Sequence, residues 1–201
     1  MSDAGDTIIE ISRLHTRFGT AVVHEDINLT VKRGEIFALA GSSGCGKSTL
    51  LREIIRLQRP DSGTIKVFGR DVHSIGDDEV LELRRRWGMM FERGALFSAL
   101  TVAENVAMPL HEHTDLSDEL IDEIVAIKIV LAGLPTSAGA KYPSELSGGM
   151  RQRLGLAEIL MKRAQIAILD EPTSGLDPHA TSELLDMIRA LKREGVAVMV
   201  S

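Results

Sequence analysis

The segment GSSGCGKST, residues 41–49, combines glycines, a lysine and hydroxyl side chains in the spacing Gly-x-x-x-x-Gly-Lys-[Ser/Thr]. It follows an apolar run that is predicted to be a strand, and such a loop surrounds phosphate with backbone N–H groups at a helix start. Lys47 is predicted to reach the β and γ phosphates of a nucleotide, and Ser48 to ligate Mg²⁺. The candidate phosphate-binding set is Gly41, Ser42, Ser43, Gly44, Cys45, Gly46, Lys47, Ser48 and Thr49.

Two acids follow a second apolar run, in AQIAILDEPTSGLDP at residues 164–178. In isolation such a pair is usually a solvated turn. Together with the loop at 41–48, it fits the acids at the end of a buried strand in a phosphate-loop ATPase. Asp170 is therefore predicted to support Mg²⁺, and Glu171 to act as the general base on the attacking water. Kinases, helicases, GTPases and transport ATPases all remain open at this point.

The motif LSGGM, residues 146–150, separates these classes. Ser147 is a good helix cap, and Gly148 and Gly149 leave backbone N–H groups bare at the helix start, which makes a second anion site. With the other two motifs in this order, LSGGM resembles the signature of ABC-type ATPases, and the resemblance covers essentially all 201 residues.

The resemblance implies several further roles. In that family the signature of one subunit completes the phosphate-loop site of another, in a head-to-tail dimer that buries ATP at the interface. Asp177, in SGLD at 174–177, matches the family's D-loop at the dimer seam. Phe18 stands where the family has an aromatic residue that stacks on adenine. The implied ligands are ATP and Mg²⁺, and a transmembrane permease is the implied partner.

The chain departs from the family pattern in three places. Glu92 stands where the family's Q-loop normally begins with Gln, and it is predicted to be a catalytic residue and a hard oxygen ligand for Mg²⁺. Glu92→Gln is expected to keep or raise ATPase activity. Glu158 replaces a usual Arg, and the chain ends at Ser201, where the family's switch histidine is expected next. A C-terminally truncated cassette that binds ATP better than it hydrolyses it is therefore expected.

The alternation of β-branched runs and helical patterns predicts an α/β fold. The resemblance makes this a P-loop NTPase, with a RecA-like core, an antiparallel β-subdomain and an inserted α-helical subdomain. A single domain is expected over 1–201, with its core at 1–92 and 154–201 and the helical subdomain at 93–153. Strands are predicted at 7–14, 22–31, 35–40, 64–68, 87–91, 165–169 and 196–201, and helices at 47–57, 77–86, 101–109, 117–133, 147–162 and 179–194.

Composition narrows the setting. The formal net charge is −6, which disfavours nucleic acid as a partner. One cysteine, Cys45, fits a reducing compartment, and neither a secretion signal nor a membrane-spanning run is found in the sequence. The expected location is cytoplasmic and peripheral, on the inner face of the cell membrane.

The stretch at 91–117, with GALF, LTVAENV and PLHEHT, resembles the ATPase of Mla-type transporters, which move phospholipids with an MCE-domain partner. The leading interpretation is therefore the ATP-hydrolysing subunit of a lipid transporter. Two alternatives stay open: a soluble ABC ATPase that is not tied to transport, and a nucleotide-gated regulatory module with little hydrolysis.

Overall fold

Strands and helices alternate along the chain, so the predicted α/β class is confirmed. The computed structural model describes residues 6–91, 96–161 and 164–201. Within these ranges, no helix is both long and apolar enough to span a bilayer. In chain order the elements are β1 (Thr7–Phe18), β2 (Ala21–Lys32), β3 (Ile36–Ala38), α1 (Lys47–Ile54), β4 (Ser62–Val67), β5 (Arg70–Asp71), α2 (Asp77–Arg84), β6 (Trp87–Met90), α3 (Val102–His113), α4 (Asp118–Leu131), two 3-10 turns (Thr136–Ala140 and Pro143–Glu145), α5 (Gly148–Met161), β7 (Ile166–Leu169), α6 (Pro178–Arg193) and β8 (Ala197–Val200).

A parallel sheet carries the strands that lead to the predicted site. Its order is β3-β8-β7-β6, and β7 pairs in parallel with both of its neighbours. All four residues of β7 are buried. A strand that is covered on both faces is a continuous apolar run, which is the pattern of IAIL. The carboxyl ends of β3 and β7 therefore open on the same edge of the sheet, where ligands of open α/β folds bind.

An antiparallel sheet, in the order β2-β1-β4-β5, packs beside the parallel one. Its long β1–β2 hairpin turns at Gly19, whose φ of +59° lies in the left-handed region that a tight turn needs. One buried cluster holds Ile9 and Leu14 of β1 together with Ile54 of α1 and Ile168 of β7. The two sheets and α1 thus share a core, which fixes the hairpin relative to the start of α1.

A second buried cluster holds α3, α4 and one side of α5. Helix α5 belongs to both parts of the molecule: Leu154 and Ala157 lie in the helical cluster, while Leu156 and Ile159 lie in the cluster of the parallel sheet. The helical period of 3.6 residues sends these pairs to different faces. The predicted division at residues 153 and 154, which cuts this helix, stays a prediction.

Helix α3 runs past its predicted end. The sequence predicts that this helix ends at residue 109, whereas in the structure the helix continues through Pro109 to His113. A proline inside a helix removes one backbone hydrogen bond and crowds the preceding turn, but the N–H groups after it can still bond. The N–H of Thr114 does bond to the carbonyl of Leu110 at 3.0 Å. The predicted boundary is therefore wrong, because the helix continues past the proline.

Candidate functional site

The predicted phosphate loop connects β3 to α1. Its glycines Gly44 and Gly46 have φ values of +81° and +98°, a region that side chains with a Cβ rarely adopt. Helix α1 begins after Gly46 without a side-chain cap, and its ladder starts with the bond from Leu50 N to Gly46 O at 2.9 Å. The N–H groups of its first turn are thus available to an anion, as the sequence predicts.

The side chain of Lys47 folds back over this loop. Its Nζ donates to the carbonyl oxygens of Gly41 at 3.0 Å and Ser42 at 3.1 Å. The exposed thiol of Cys45 lies 4.0 Å from the same nitrogen. The ammonium is thereby held above the loop whose phosphate it is predicted to contact.

The predicted metal-side residues Ser48 and Asp170 are in direct contact. Ser48 Oγ donates to Asp170 Oδ1 at 2.8 Å, and Asp170 is buried at the end of β7. A hydroxyl and a carboxylate oxygen side by side form a hard-oxygen donor set that suits Mg²⁺. The structure therefore brings together the phosphate loop and the acidic strand end.

Glu171, the predicted general base, has an unusual backbone. Its φ is +47°, which is rare for a residue with a side chain and costs of order 1–3 kcal/mol. The turn is held by a hydrogen bond of 2.8 Å from Glu171 N to Ser201 Oγ. Ser201 Oγ in turn donates to Asp170 Oδ1 at 2.9 Å. One hydroxyl after β8 thus contacts the carboxylate of Asp170 and the backbone of Glu171.

The predicted signature residues lie at a second place, around the starts of α5 and α6. Ser147 Oγ accepts a hydrogen bond from the N–H of Met150 at 3.2 Å, as a helix cap does. A Cβ on Gly149 would lie 3.0 Å from Ala180 Cβ, so the two helices meet closely there. A crevice of about 430 Å³ opens between them, and no residue of the phosphate loop lines it.

Asp177 of the D-loop caps α6 in this crevice. Its carboxylate accepts from the N–H of Ala180 at 2.9 Å, and this bond holds the pKa of Asp177 below its usual range. Arg153, across the crevice, pairs with Glu183 at 3.0 Å. The crevice is therefore lined by the starts of two helices and by a paired arginine.

The two remaining predicted site residues are Phe18 and Glu92. Phe18 is at the end of β1, and 53% of its surface is exposed, so its ring is free to meet a flat ligand. Glu92 lies outside the described residues, so its predicted roles as metal ligand and catalytic residue stay predictions.

Sequence reasoning missed Ser201 and a buried group under the phosphate loop, formed by Thr16, His24 and Glu53. His24 Nε2 lies 3.1 Å from Gly46 O, and Thr16 Oγ1 donates to Glu53 Oε1 at 2.7 Å. No motif contains these residues. The available signal was a charged residue on the apolar side of α1, which normally requires a partner.

The fold and the two places together define a nucleotide-binding protein of the phosphate-loop class. The family model described as "ABC transporter" matches residues 24–174. The chain belongs to the ABC transporter family, and the predicted resemblance to ABC-type ATPases is confirmed.

Several related proteins are similar to this chain over most of its length. The chain is 42% identical over 180 residues to "Probable ribonucleotide transport ATP-binding protein mkl" of Mycobacterium tuberculosis, covering 90% of this chain and 50% of that protein. "Methionine import ATP-binding protein MetN" of Rhizobium johnstonii is 40% identical over 98% of this chain and 54% of its own length. The phospholipid transport protein MlaF of Haemophilus influenzae is 40% identical, over 92% of this chain and 69% of its own length. The chain thus spans about half the length of the first two relatives.

Solved structures match the fold closely. One is a dimeric post-hydrolysis state of the ATP-binding cassette MJ0796 bound to ADP and Pi, with a TM-score of 0.87 and 28% identity over 96% of this chain and 87% of that one. Another is cbiO1 from Clostridium perfringens, with a TM-score of 0.81 and 27% identity over 97% of this chain and 77% of that one. The predicted P-loop NTPase fold is confirmed.

Proposed function

We propose that this protein is the ATP-binding and ATP-hydrolysing subunit of a membrane ABC transporter. The observation that carries the proposal is the Ser48–Asp170 hydrogen bond of 2.8 Å, which joins the phosphate loop to the acid of β7 in a chain that also holds a signature crevice. Family membership supports the same reading, since the relatives named above are transport ATP-binding proteins.

The residues divide the work of phosphoryl transfer to water. The loop N–H groups and Lys47 bind the β and γ phosphates and stabilise the charge on them. Ser48 and Asp170 are the residues that would hold Mg²⁺, and the bound ion would neutralise phosphate charge. Glu171 accepts the proton of the attacking water, and its strained backbone is held by the hydrogen bond to Ser201. Phe18 stacks on the adenine.

A second copy of the chain completes each site. The signature crevice around Ser147 and Gly149 shares no lining residue with the phosphate loop. Within one chain the two sites therefore do not form a single binding site, and contact with the same nucleotide requires a second chain. Head-to-tail association brings the helix donors of one copy to the γ phosphate held by the other, with Asp177 at the seam. The MJ0796 structure is described as a dimer, which supports this arrangement.

Among transport substrates, we favour phospholipid. The stretch at 91–117 resembles Mla-type ATPases, and MlaF of Haemophilus influenzae is 40% identical to this chain. The proposed partners are a transmembrane permease and an MCE-domain lipid-binding protein, with this chain peripheral on the inner face of the cell membrane. The relatives mkl and MetN carry names for ribonucleotide and methionine transport, so the choice needs a direct test.

That test is co-purification followed by substrate stimulation. The chain, isolated from its own membranes with the transmembrane protein bound to it, is placed in lipid nanodiscs, and ATP hydrolysis is measured. Stimulation by phospholipid composition, with no response to methionine or ribonucleotides, is the expected result. A Glu171→Gln complex controls for contaminating ATPases. Stimulation by methionine or a ribonucleotide, or the absence of any transmembrane partner, would refute the proposal.

A further inference from the structure

Beneath the phosphate loop lies a buried polar cluster that the proposed mechanism does not use. Its members, Thr16 of β1, His24 of β2 and Glu53 of α1, have exposed fractions of 1%, 5% and 0%. Burying an ionisable pair so completely costs free energy and needs every polar atom to be matched. Because apolar side chains at these positions would avoid that cost, the presence of this polar group needs its own explanation.

The contacts form a chain from one strand to the phosphate loop. Thr16 Oγ1 donates to Glu53 Oε1 at 2.7 Å, and Glu53 Oε2 lies 3.3 Å from His24 Nδ1. His24 Nε2 lies 3.1 Å from the carbonyl oxygen of Gly46. Thr16 and His24 are also direct cross-strand neighbours in the β1–β2 hairpin. The cluster thus links both strands of the hairpin to the loop and to α1.

The carbonyl of Gly46 fixes the position of one proton in the cluster. It can only accept, so His24 Nε2 carries a proton and donates to it. On the other side of the ring, His24 Nδ1 faces Glu53 Oε2 at 3.3 Å, in a polar contact that is not an aligned hydrogen bond. The ring is thereby held between Glu53 and Gly46.

The hairpin also touches the loop sterically at Gly46. A Cβ built on this residue would lie 2.6 Å from Val23 Cγ1 and 2.7 Å from His24 Nε2, and its φ is +98°. Strand β2 therefore abuts the last residue before α1. On the neighbouring strand, Phe18 follows Thr16 by two positions, at the exposed end of the hairpin.

We propose that His24, locked by Glu53, is a positioning residue that sets the distance between the β1–β2 hairpin, with its adenine-stacking Phe18, and the phosphate loop. The inference rests on the proposed function, because it assumes that this site binds ATP. The loop keeps its own internal bonds, from Lys47 to Gly41 and from Leu50 to Gly46. Loss of the His24 link therefore weakens binding of a whole nucleotide far more than binding of its phosphates alone.

Three variants separate positioning from stability. His24→Leu cuts the link and leaves the Glu53 carboxylate unpaired in the core. Glu53→Gln keeps an acceptor for Thr16 and a donor for His24 Nδ1, so it is the conservative variant. The double variant His24→Leu/Glu53→Gln removes the unpaired charge while the link stays cut. As a matched control, His73→Leu removes another ring, whose Nε2 lies 3.0 Å from the backbone oxygen of Glu53 on the same helix.

The readouts are the melting temperature and the dissociation constants of ATP and inorganic tripolyphosphate, by competition with a fluorescent ATP analogue. His24→Leu is expected to lower Tm by about 10 °C, as for one broken partner of a buried pair. We expect it to weaken ATP binding roughly tenfold, since misplacements of about 1 Å are costly. Tripolyphosphate binding is expected to change less than about twofold, since the loop's own donors remain.

The double variant is decisive. It is expected to recover most of the Tm and keep the weakened ATP binding, whereas Glu53→Gln and His73→Leu bind ATP like the wild type. Wild-type ATP affinity in the double variant, or an equal loss for ATP and tripolyphosphate, overturns the inference and leaves the proposed function standing. Failure of the wild-type chain to bind ATP at all would instead remove the proposed function and this inference together.

Discussion

Ser48 and Asp170 are joined by a hydrogen bond of 2.8 Å although 122 positions separate them in the chain. The contact exists because β3 and β7 lie in one parallel sheet and end at the same edge, one strand apart. It ties the start of α1 to the buried end of β7. The two oxygens form the donor pair that we assign to Mg²⁺.

Removing the hydroxyl of this pair tests that assignment. We expect Ser48→Ala to lower the apparent affinity for Mg²⁺ in ATP hydrolysis by about 10- to 100-fold, which is the range for a lost partner at a metal site. Ser48→Thr keeps the hydroxyl and is expected to stay near wild type. Titration of Mg²⁺ at saturating ATP measures the effect, and identical titration curves for Ser48→Ala and the wild type would contradict the assignment.

Substitution of the proposed base separates binding from hydrolysis. Glu171→Gln removes the proton acceptor and keeps the size of the side chain, so hydrolysis is expected to fall by about 10²- to 10⁴-fold. ATP binding is expected to persist, and dimers held by unhydrolysed ATP are expected to accumulate in size-exclusion chromatography. Hydrolysis at half the wild-type rate or more would show that another residue is the base.

Ser201 is expected to matter for both stability and rate. Its hydroxyl contacts Asp170 Oδ1 and the N–H of Glu171, so Ser201→Ala leaves the strained turn unsupported. A loss of about 1–3 kcal/mol in the free energy of unfolding is expected for the unpaired groups. Urea denaturation measures the stability, and kcat is expected to fall while the KM for ATP changes little. Ser201→Thr, which retains the hydroxyl, serves as control; equal behaviour of the two variants would argue against this role.

Asp177 makes the stability of the α6 start dependent on pH. The hydrogen bond from Ala180 N–H holds its pKa below the usual value, so its contribution is present above the unfolded pKa of 3.8 and is lost as pH falls through the folded pKa. Asp177→Ala is expected to be less stable than the wild type at pH 7. The difference is expected to shrink in acid, and melting curves from pH 7 to pH 2 measure it. A difference that does not change with pH would show that the carboxylate charge is irrelevant.

Much of the fold, and the placement of the phosphate loop, the acidic strand end and the signature helix, were predictable because they rest on local patterns. The spacing of Gly44, Gly46 and Lys47 predicts a phosphate loop. The IAIL run before Asp170 predicts a strand that is buried on both faces. Ser147 indicates a helix start because serine is a preferred N-cap residue. Each of these features depends on residues that are close together in the chain, so the sequence is enough to predict it.

The missed features depend on residues that only the fold brings together. The importance of Ser201 follows from the pairing of β8 with β7, which no single segment reveals. His24 and Glu53 meet because the hairpin packs under α1, and a histidine in a strand has no distinctive spacing. Helix α3 continues past Pro109, and the bond from Thr114 N to Leu110 O forms beyond it, which the proline alone does not indicate.

We propose above that two copies of this chain hydrolyse ATP at sites that they share. The most direct measurement is Mg²⁺-dependent ATP hydrolysis per molecule over a wide range of protein concentration, with Glu171→Gln measured in parallel. We expect a rate per molecule that rises with concentration, reaches a plateau as dimers form and is lost in the variant. A measurable rate per molecule that is constant over the whole range, or one that survives Glu171→Gln, would contradict it.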